Sequence, residues 1–109
     1  MQVHKKLIYN RELQFWQRLQ KTDIVPLVLS IQPMGSSQYL LSTKRYPMTL
    51  QAWMCDHASD QKYLCKLPAL VNKLHKRGII HGDLTLDNVV IDSKTGDLRL
   101  IDFDLGDWL

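Results

Sequence analysis

The first regular pattern along the chain is an apolar stripe of helical period between residues 8 and 19. The stripe consists of Ile8, Leu13, Phe15, Trp16 and Leu19. Asn10 is suited to the N-cap, and Glu12 falls in the first turn, where the helix dipole favours an acidic side chain. We therefore predict one amphipathic helix from Ile8 to Leu19.

Two β-branched, apolar runs follow this helix. The first is DIVPLVLSIQP, residues 23–33, and the second is SQYLLSTKRYP, residues 37–47. The residues PMGSS at their junction are a turn signal. The pattern predicts two short strands that pair with each other.

Two further helices are predicted between residues 48 and 78. The run MTLQAWMCDH begins with Thr49, which is a good N-cap for a short helix. From Asp60 to Lys76 the apolar positions recur at intervals of three and four, which predicts a longer helix, and Gly78 is placed to end it. The apolar positions are Tyr63, Leu64, Leu67, Leu70, Val71 and Leu74.

The chain closes with a predicted β-hairpin. Its strands are NVVID, residues 88–92, and DLRLIDF, residues 97–103, and Gly96 in the connection can take a positive φ. The order is thus helix, two strands, helices and hairpin, which indicates an α+β fold. A chain of 109 residues is long enough for one domain, so we assign residues 1–109 to a single domain.

Charge and cysteine content narrow the classes of function. The net charge is +3 with basic residues scattered along the chain, so we expect no nucleic-acid partner. No run approaches eighteen apolar residues, so we expect no membrane partner. Cys55 and Cys65 fit no CxxC spacing, and MQVHKKLIYN lacks a signal-peptide core, which indicates a reducing, cytoplasmic location.

The candidate chemistry lies in HGDLTLDNVVIDSKTGDLRLIDFDLG, residues 81–106. Asp83 and Asn88 precede the hairpin, and Asp102 lies where its second strand ends, so the hairpin brings Asn88 and Asp102 to the same end. An amide and a carboxylate oxygen suit Mg²⁺, which takes its remaining ligands from water and phosphate. Asp83 is then placed to accept a proton from a hydroxyl group. The alternative is that all three are turn-forming Asx residues.

These residues also carry a family resemblance. HGDLTLDN matches the H-x-D-x-x-x-x-N catalytic loop of the protein-kinase superfamily, and the DFD of residues 102–104 stands where that family has D-F-G. The segments of residues 10–28, 38–53 and 67–84 resemble the family's αC helix with the strand after it, its adenine-binding hinge and the helix before the catalytic loop. The resemblance implies a partial protein-kinase-like fold over about residues 8–107.

The resemblance implies a role for each matching residue. Asp83 would be the catalytic base, and Asn88 and Asp102 would be catalytic residues that bind Mg²⁺. Glu12 would pair with the lysine that positions ATP, although the helix dipole explains Glu12 equally well. Thr43, Lys44 and Arg45 would lie near the hinge that holds the ATP cofactor. His81 would pack beneath the catalytic loop, and Phe103 would link the metal site to the αC helix.

The chain also departs from the family pattern. The Gly-rich loop and its strands are absent, and Lys5 and Lys6 are expected to lie too close to the helix to serve as the ATP-positioning lysine. Gly82 replaces an arginine of regulated kinases, which argues against control by activation-loop phosphorylation. Asp104 replaces the glycine of D-F-G and should make the metal loop stiffer. The C-terminal helical bundle is absent too.

Three interpretations follow from this comparison. The first is a protein-kinase-like enzyme that transfers phosphate from ATP to Ser/Thr hydroxyls, with Mg²⁺ as cofactor. The second is a non-catalytic pseudokinase module that regulates another kinase or protein. The third is a piece of a longer kinase. Because the missing bundle would normally cover apolar surface, we expect a protein partner or a homodimer to cover it, with Trp108 and Leu109 as candidate contacts.

Overall fold

The computed structural model describes residues 2–109, and its helices and strands confirm the predicted α+β fold. The strands are β1 (Val3–Tyr9), β2 (Val28–Pro33), β3 (Gln38–Lys44), β4 (Met48–Thr49), β5 (Ile79–Ile80), β6 (Val89–Asp92), β7 (Asp97–Leu100) and β8 (Asp107–Trp108). The α-helices are α1 (Asn10–Leu19), α2 (Leu50–Asp56) and α3 (Leu67–Lys76), and 3₁₀ turns span Leu64–Lys66 and Leu86–Asn88.

The N-terminal half forms a three-stranded antiparallel sheet in the order β1-β3-β2. The predicted pairing of the two runs after the first helix is confirmed, because β2 pairs with β3 along its length. Strand β1 on the other side of β3 was not predicted. Its ladder places Ile8 opposite Tyr39.

This strand corrects the start of the first helix. Ile8 belongs to β1, and helix α1 begins at Asn10, which is its first helical residue rather than its N-cap. Tyr9 holds the N-cap position without a side-chain capping bond. The physical reason is that the edge of β3 offers hydrogen-bond partners to residues 3–9, which outweighs the helical periodicity of the apolar positions.

The middle of the chain forms the two predicted helices. Thr49 Oγ1 accepts a hydrogen bond of 3.1 Å from the backbone N–H of Ala52, so the predicted cap is confirmed. The longer helix starts at Leu67 instead of Asp60, after a 3₁₀ turn, and Pro68 stands in its first turn, where it costs no hydrogen bond. Gly78 follows its end with φ +81°.

The C-terminal half contains the predicted hairpin. Strands β6 and β7 pair antiparallel, β4 extends this sheet on the β6 side, and Gly96 in the turn has φ +78°. Strand β8 returns to pair with β5. Hydrogen bonds also join the halves of the chain directly. In one of them the N–H of Leu100 donates to the carbonyl of Ile24 at 2.7 Å.

The core lies where α1, the first sheet and the hairpin meet. Its largest buried side chains include Phe15, Trp16, Leu74, Leu100 and Phe103. Trp108, one of the two residues predicted to contact a partner, packs on Phe15 within the chain, with ring centroids 5.0 Å apart. It remains 42% exposed. Among the described residues, no helix is both long and apolar enough to cross a membrane.

Candidate active site

A cluster of charged side chains joins β1, α1 and the segment after β7. The ammonium group of Lys6 lies 3.2 and 3.3 Å from the two carboxylate oxygens of Glu12 and 3.1 Å from Oδ1 of Asp102. It also lies 3.2 Å from Oδ1 of Asp104. The N-terminal strand and helix and a segment more than ninety residues further along the chain therefore meet at one cation.

Lys5 and Lys6 were expected to lie too close to the helix to serve as the ATP-positioning lysine, but Lys6 makes the direct contact with Glu12 that this role requires. Side chains alternate along a strand, so Lys6 shares its side of β1 with Ile8, which is fully buried. Because α1 begins immediately after β1, Glu12 in its first turn lies on the same inner side. A spacing of six residues is thus enough for a direct ion pair.

Glu12 is 3% exposed and is held by one group of its own helix and two groups from outside it. Its Oε2 accepts hydrogen bonds from Trp16 Nε1 at 2.9 Å and from the backbone N–H of Phe103 at 3.2 Å. Lys6 supplies the positive charge. Glu12 therefore ties helix α1 to the DFD segment, which the helix dipole alone would not require.

The charges shift the pKa values of this cluster. Burial raises the pKa of Glu12, and Asp104 adds to the shift, while Trp16 and Lys6 oppose it. The pKa of Asp104 is lowered, chiefly by the interaction of its side chain with Glu12, and Lys6 adds to the shift. For Lys6, burial favours the neutral form, but the carboxylates of Glu12 and Asp102 outweigh it, so the pKa rises and the lysine stays charged.

The DFD segment has a distinctive backbone. Asp102 has φ +62°, in the left-handed region that few residues other than glycine adopt, although Asp tolerates it better than most. Its carboxylate faces Lys6 and is 39% exposed, whereas the next side chain, Phe103, is fully buried. Phe103 lies edge-on to Trp16, with ring centroids 5.6 Å apart. The backbone turn at Asp102 thus sends one side chain to the cleft and the next to the core.

The HGD segment is joined to the hairpin through His81, which is 4% exposed. Its Nδ1 accepts a hydrogen bond from the backbone N–H of Asp83 at 3.2 Å. Nε2 must then carry the proton, and it donates to the carbonyl of Ile101 at 2.7 Å. The side chain of His81 therefore links the backbone of Asp83 to that of Ile101, the residue that precedes Asp102.

Gly82 lets the DFD segment approach the HGD segment closely. It has φ +87°, and a Cβ atom at this position would lie 1.9 Å from the carbonyl oxygen of Leu105. Neither the backbone angle nor the space suits another residue. The glycine that replaces an arginine of the kinase pattern is thus required by packing.

Asn88 and Asp83 contact each other directly. The amide nitrogen of Asn88 donates to the Asp83 carbonyl at 2.9 Å and approaches its carboxylate at 3.4 Å. The backbone N–H of Ile101 donates to the Asn88 carbonyl at 3.0 Å, which brings Asn88 beside the residue preceding Asp102. The amide oxygen of Asn88 and the carboxylate of Asp102 are hard donors that fit Mg²⁺.

Glu12, Asp102 and Asp104 form a second group of oxygen donors. One ligand atom from each lies within 4.8 Å of the others. The predicted metal ligands were Asn88 and Asp102, so Asp102 is common to the two sets. Lys6 already lies against all three carboxylates. This second group therefore neutralises a cation of the protein itself.

The predicted hinge residues line a cleft that leads to Lys6. Thr43, Lys44 and Arg45 border a cavity of about 200 Å³, and a neighbouring cavity of about 140 Å³ is lined by Lys6 and Asp102. His4, Thr43 and Ile101 border both cavities. The backbone N–H groups of Lys44 and Arg45 already donate to Leu27 and Gln2, respectively. A ligand in this cleft would therefore have to form hydrogen bonds with groups of the hinge other than these two N–H groups.

The sequence patterns missed Lys6 and His4 as lining residues of this cleft. Both lie on β1, and the last two residues of that strand, Ile8 and Tyr9, were assigned to the helix instead. Asp104 was noted only for its backbone. The signal that could have found β1 is the β-branched and aromatic content of VHKKLIY.

Residues 1–109 match the family described as the protein kinase domain. The chain is 36% identical to citron Rho-interacting kinase of Mus musculus over 71% of its length, and 33% identical to serine/threonine-protein kinase pim-2 of Danio rerio over 47%. It spans only 3% and 16% of these two relatives, respectively.

One solved structure extends the match to nearly the whole fold. The Cydia pomonella granulovirus kinase PK-1 superposes with a TM-score of 0.77 over 98% of this chain, at 19% identity. This chain covers 44% of the viral kinase. At this identity the likeness concerns the fold, and it agrees with the predicted partial kinase-like architecture.

Proposed function

This chain belongs to the protein kinase domain family, and we propose that it carries out Mg²⁺-dependent transfer of the terminal phosphate of ATP to a Ser or Thr hydroxyl of a protein. The observation that carries the proposal is the contact of Lys6 with both Glu12 and Asp102, at 3.1–3.3 Å, at the end of a cleft. A buried carboxylate that holds a lysine at a cleft wall suits the binding of phosphate.

Each residue of the site has a distinct task in this proposal. Lys6 binds phosphate oxygens, and Glu12 keeps the ammonium group in place. Asn88 and Asp102 would hold Mg²⁺, which supplies charge neutralisation at the phosphates when bound. Asp83 orients the acceptor hydroxyl and takes its proton as the oxygen attacks phosphorus. The hydrogen bond from Asn88 holds Asp83 beside the metal ligands.

The test is a phosphotransfer assay on the chain with radiolabelled ATP, Mg²⁺ and peptide mixtures that contain Ser/Thr or Tyr as the acceptor. Asp83→Asn should reduce the rate at least a hundredfold, since general-base catalysis contributes about 10²–10⁴-fold. Asp87→Asn is the matched control, because Asp87 is an exposed aspartate in the same loop. Transfer that survives in Asp83→Asn would refute the proposed chemistry, and preference for Tyr would refute the acceptor class.

The second candidate function is a non-catalytic module that pairs with a second copy of itself. The supporting observation is an apolar groove along α3, whose lining residues include Leu67, Pro68, Val71 and Leu84. Leu84, beside the catalytic loop, is 41% exposed. Burying such side chains against another chain is favourable by about 25 cal/mol per Å².

Light scattering over a concentration series separates the two candidates. A module should form dimers that persist in Asp83→Asn and dissociate in Val71→Asp, which places a charge in the groove. Ala69→Asp is the control on the same helix, because Ala69 is exposed and lies outside the groove. Monomers at all concentrations would refute the self-pairing module.

A further inference from the structure

We propose that Asp104 competes with the phosphate groups of a nucleotide for Lys6 and thereby limits how tightly this chain binds nucleotides. The inference rests on the proposed function, because it assumes that nucleotide phosphates reach Lys6. Asp104 is not one of the residues to which we assign the reaction itself. It stands two positions after Asp102, and its carboxylate oxygen is 3.2 Å from the Lys6 ammonium group.

Lys6 has few hydrogen-bond donors to share. A lysine ammonium group has three N–H donors and no acceptor. Three carboxylates, from Glu12, Asp102 and Asp104, each lie within 3.1–3.3 Å of this nitrogen. All donors of Lys6 are therefore engaged by the protein, and a phosphate oxygen has to displace one of the carboxylates.

The three carboxylates differ in how firmly they are held. The side chain of Glu12 is only 4% exposed and is also held by Trp16 and by the backbone of Phe103. The side chain of Asp102 is 39% exposed, which is less than that of Asp104. The Asp104 side chain is 60% exposed, and an ion pair with a carboxylate so accessible to water is weak. Asp104 is thus the group that a phosphate can replace.

The charge of Asp104 also opposes phosphate binding. Three carboxylates around one ammonium group leave the cluster with an excess of negative charge when all three are ionised, and this opposes an incoming phosphate. Removing the Asp104 carboxylate both frees a donor of Lys6 and removes a repulsive charge. The effect should depend on the ligand's phosphates, because the base and ribose do not interact with Lys6.

The experiment is calorimetric titration of the full chain and its variants with ATP, ADP and adenosine, each with Mg²⁺ and with EDTA. Asp104→Asn removes the charge at nearly constant size, and Asp104→Gly removes the whole side chain. Asp107→Asn is the matched control, because it makes the same charge change three residues away, at a side chain that is 70% exposed and 3.9 Å from Arg11. Thermal unfolding verifies that each variant is folded.

The expected result is a dissociation constant for ATP and ADP that is roughly three- to tenfold lower in both Asp104 variants, with adenosine unchanged. Asp107→Asn should bind all three ligands as the parent chain does. An equal gain for adenosine would overturn the inference, since it would place the effect away from the phosphates. Equal ATP affinity in all variants would overturn it and leave the proposed function intact.

Two other outcomes are also decisive. If the Asp104 variants bind ATP more weakly with Mg²⁺ but not with EDTA, Asp104 is a metal ligand, and the competition does not exist. If no variant binds any nucleotide under either condition, both the inference and the proposed function are refuted. The Asp104 variants are informative even when the parent chain binds too weakly to measure, because the inference then requires that they bind detectably.

Discussion

Replacing Lys6 by methionine should destabilise the fold as well as abolish phosphate binding. Methionine has nearly the same length, so the variant mainly loses the positive charge. In the parent chain that charge faces the Glu12 carboxylate, whose side chain is 4% exposed. The variant leaves this carboxylate buried, with Asp102 and Asp104 still beside it.

The size of the destabilisation depends on the groups that remain around Glu12. Breaking a fully buried ion pair costs about 3–5 kcal/mol. Here the cost is smaller, because Glu12 keeps the hydrogen bonds from Trp16 and Phe103 and because its raised pKa makes protonation accessible. The side chain of Lys6 is also 29% exposed, which screens the pair. We expect Lys6→Met to lower the free energy of unfolding by about 1–3 kcal/mol at neutral pH.

The pH dependence gives the prediction a sign. The pKa of Glu12 is raised above its ordinary value of 4.5. Its contribution to the free energy of unfolding is therefore largest below pH 4.5 and is lost as the pH rises through the folded-state pKa. Loss of Lys6 removes a group that lowers this pKa, so the folded pKa should rise further. The stability difference between the parent chain and Lys6→Met should therefore widen between pH 4.5 and pH 8.

The assay is urea unfolding followed by tryptophan fluorescence at several pH values, with equal m-values as the check on two-state behaviour. Lys5→Met is the control, because Lys5 is an exposed neighbour on the same strand. The double variant Lys6→Met/Glu12→Gln should recover part of the lost stability. A change of less than about 0.5 kcal/mol in Lys6→Met at pH 8, no larger than an ordinary surface substitution, would refute the reasoning.

Three further predictions concern other parts of the fold. Gly82→Ala should lower the melting temperature and weaken Mg²⁺·ATP binding, because its Cβ would lie 1.9 Å from the Leu105 carbonyl; unchanged values in calorimetry would contradict that packing. Phe103→Ala, at a fully buried ring, should cost about 3–5 kcal/mol in urea unfolding, and a cost below 1 kcal/mol would count against a packed core there. Asp23→Asn should cost at most about 1 kcal/mol at pH 7, because the Asp23–Lys73 pair is exposed. Since Lys73 lowers the pKa of Asp23, that difference should vanish as the pH falls through the folded pKa, and a constant difference down to pH 2 would exclude the pair as its source.

Elements held together by neighbours in sequence were predicted well. The hairpin of residues 89–100 has its strands four residues apart and its turn glycine at Gly96. The Thr49 cap is a bond to the third residue beyond it. In both cases the sequence that specifies the element is also the sequence that supplies its hydrogen-bond partners.

Strand β1 shows where sequence patterns are insufficient. Its partner β3 lies about thirty residues away, with Ile8 opposite Tyr39. A periodicity argument reads only local positions, so it extended the following helix back over Ile8. Residues 3–9 instead pair with the edge of β3, because unpaired backbone groups beside a buried sheet edge need partners.

The local sequence was sufficient to predict the α+β fold class and the motifs that place Asp83, Asn88 and Asp102 around a hairpin, because their spacing and the hairpin's geometry are local properties. The contact of Lys6 with Glu12, and the contact of Asp104 with the same lysine, could be found only in the tertiary structure. An ion-pair cluster is set by distances of a few ångströms between segments up to 98 residues apart. Such distances arise only when β1, α1 and the end of the hairpin pack on one core.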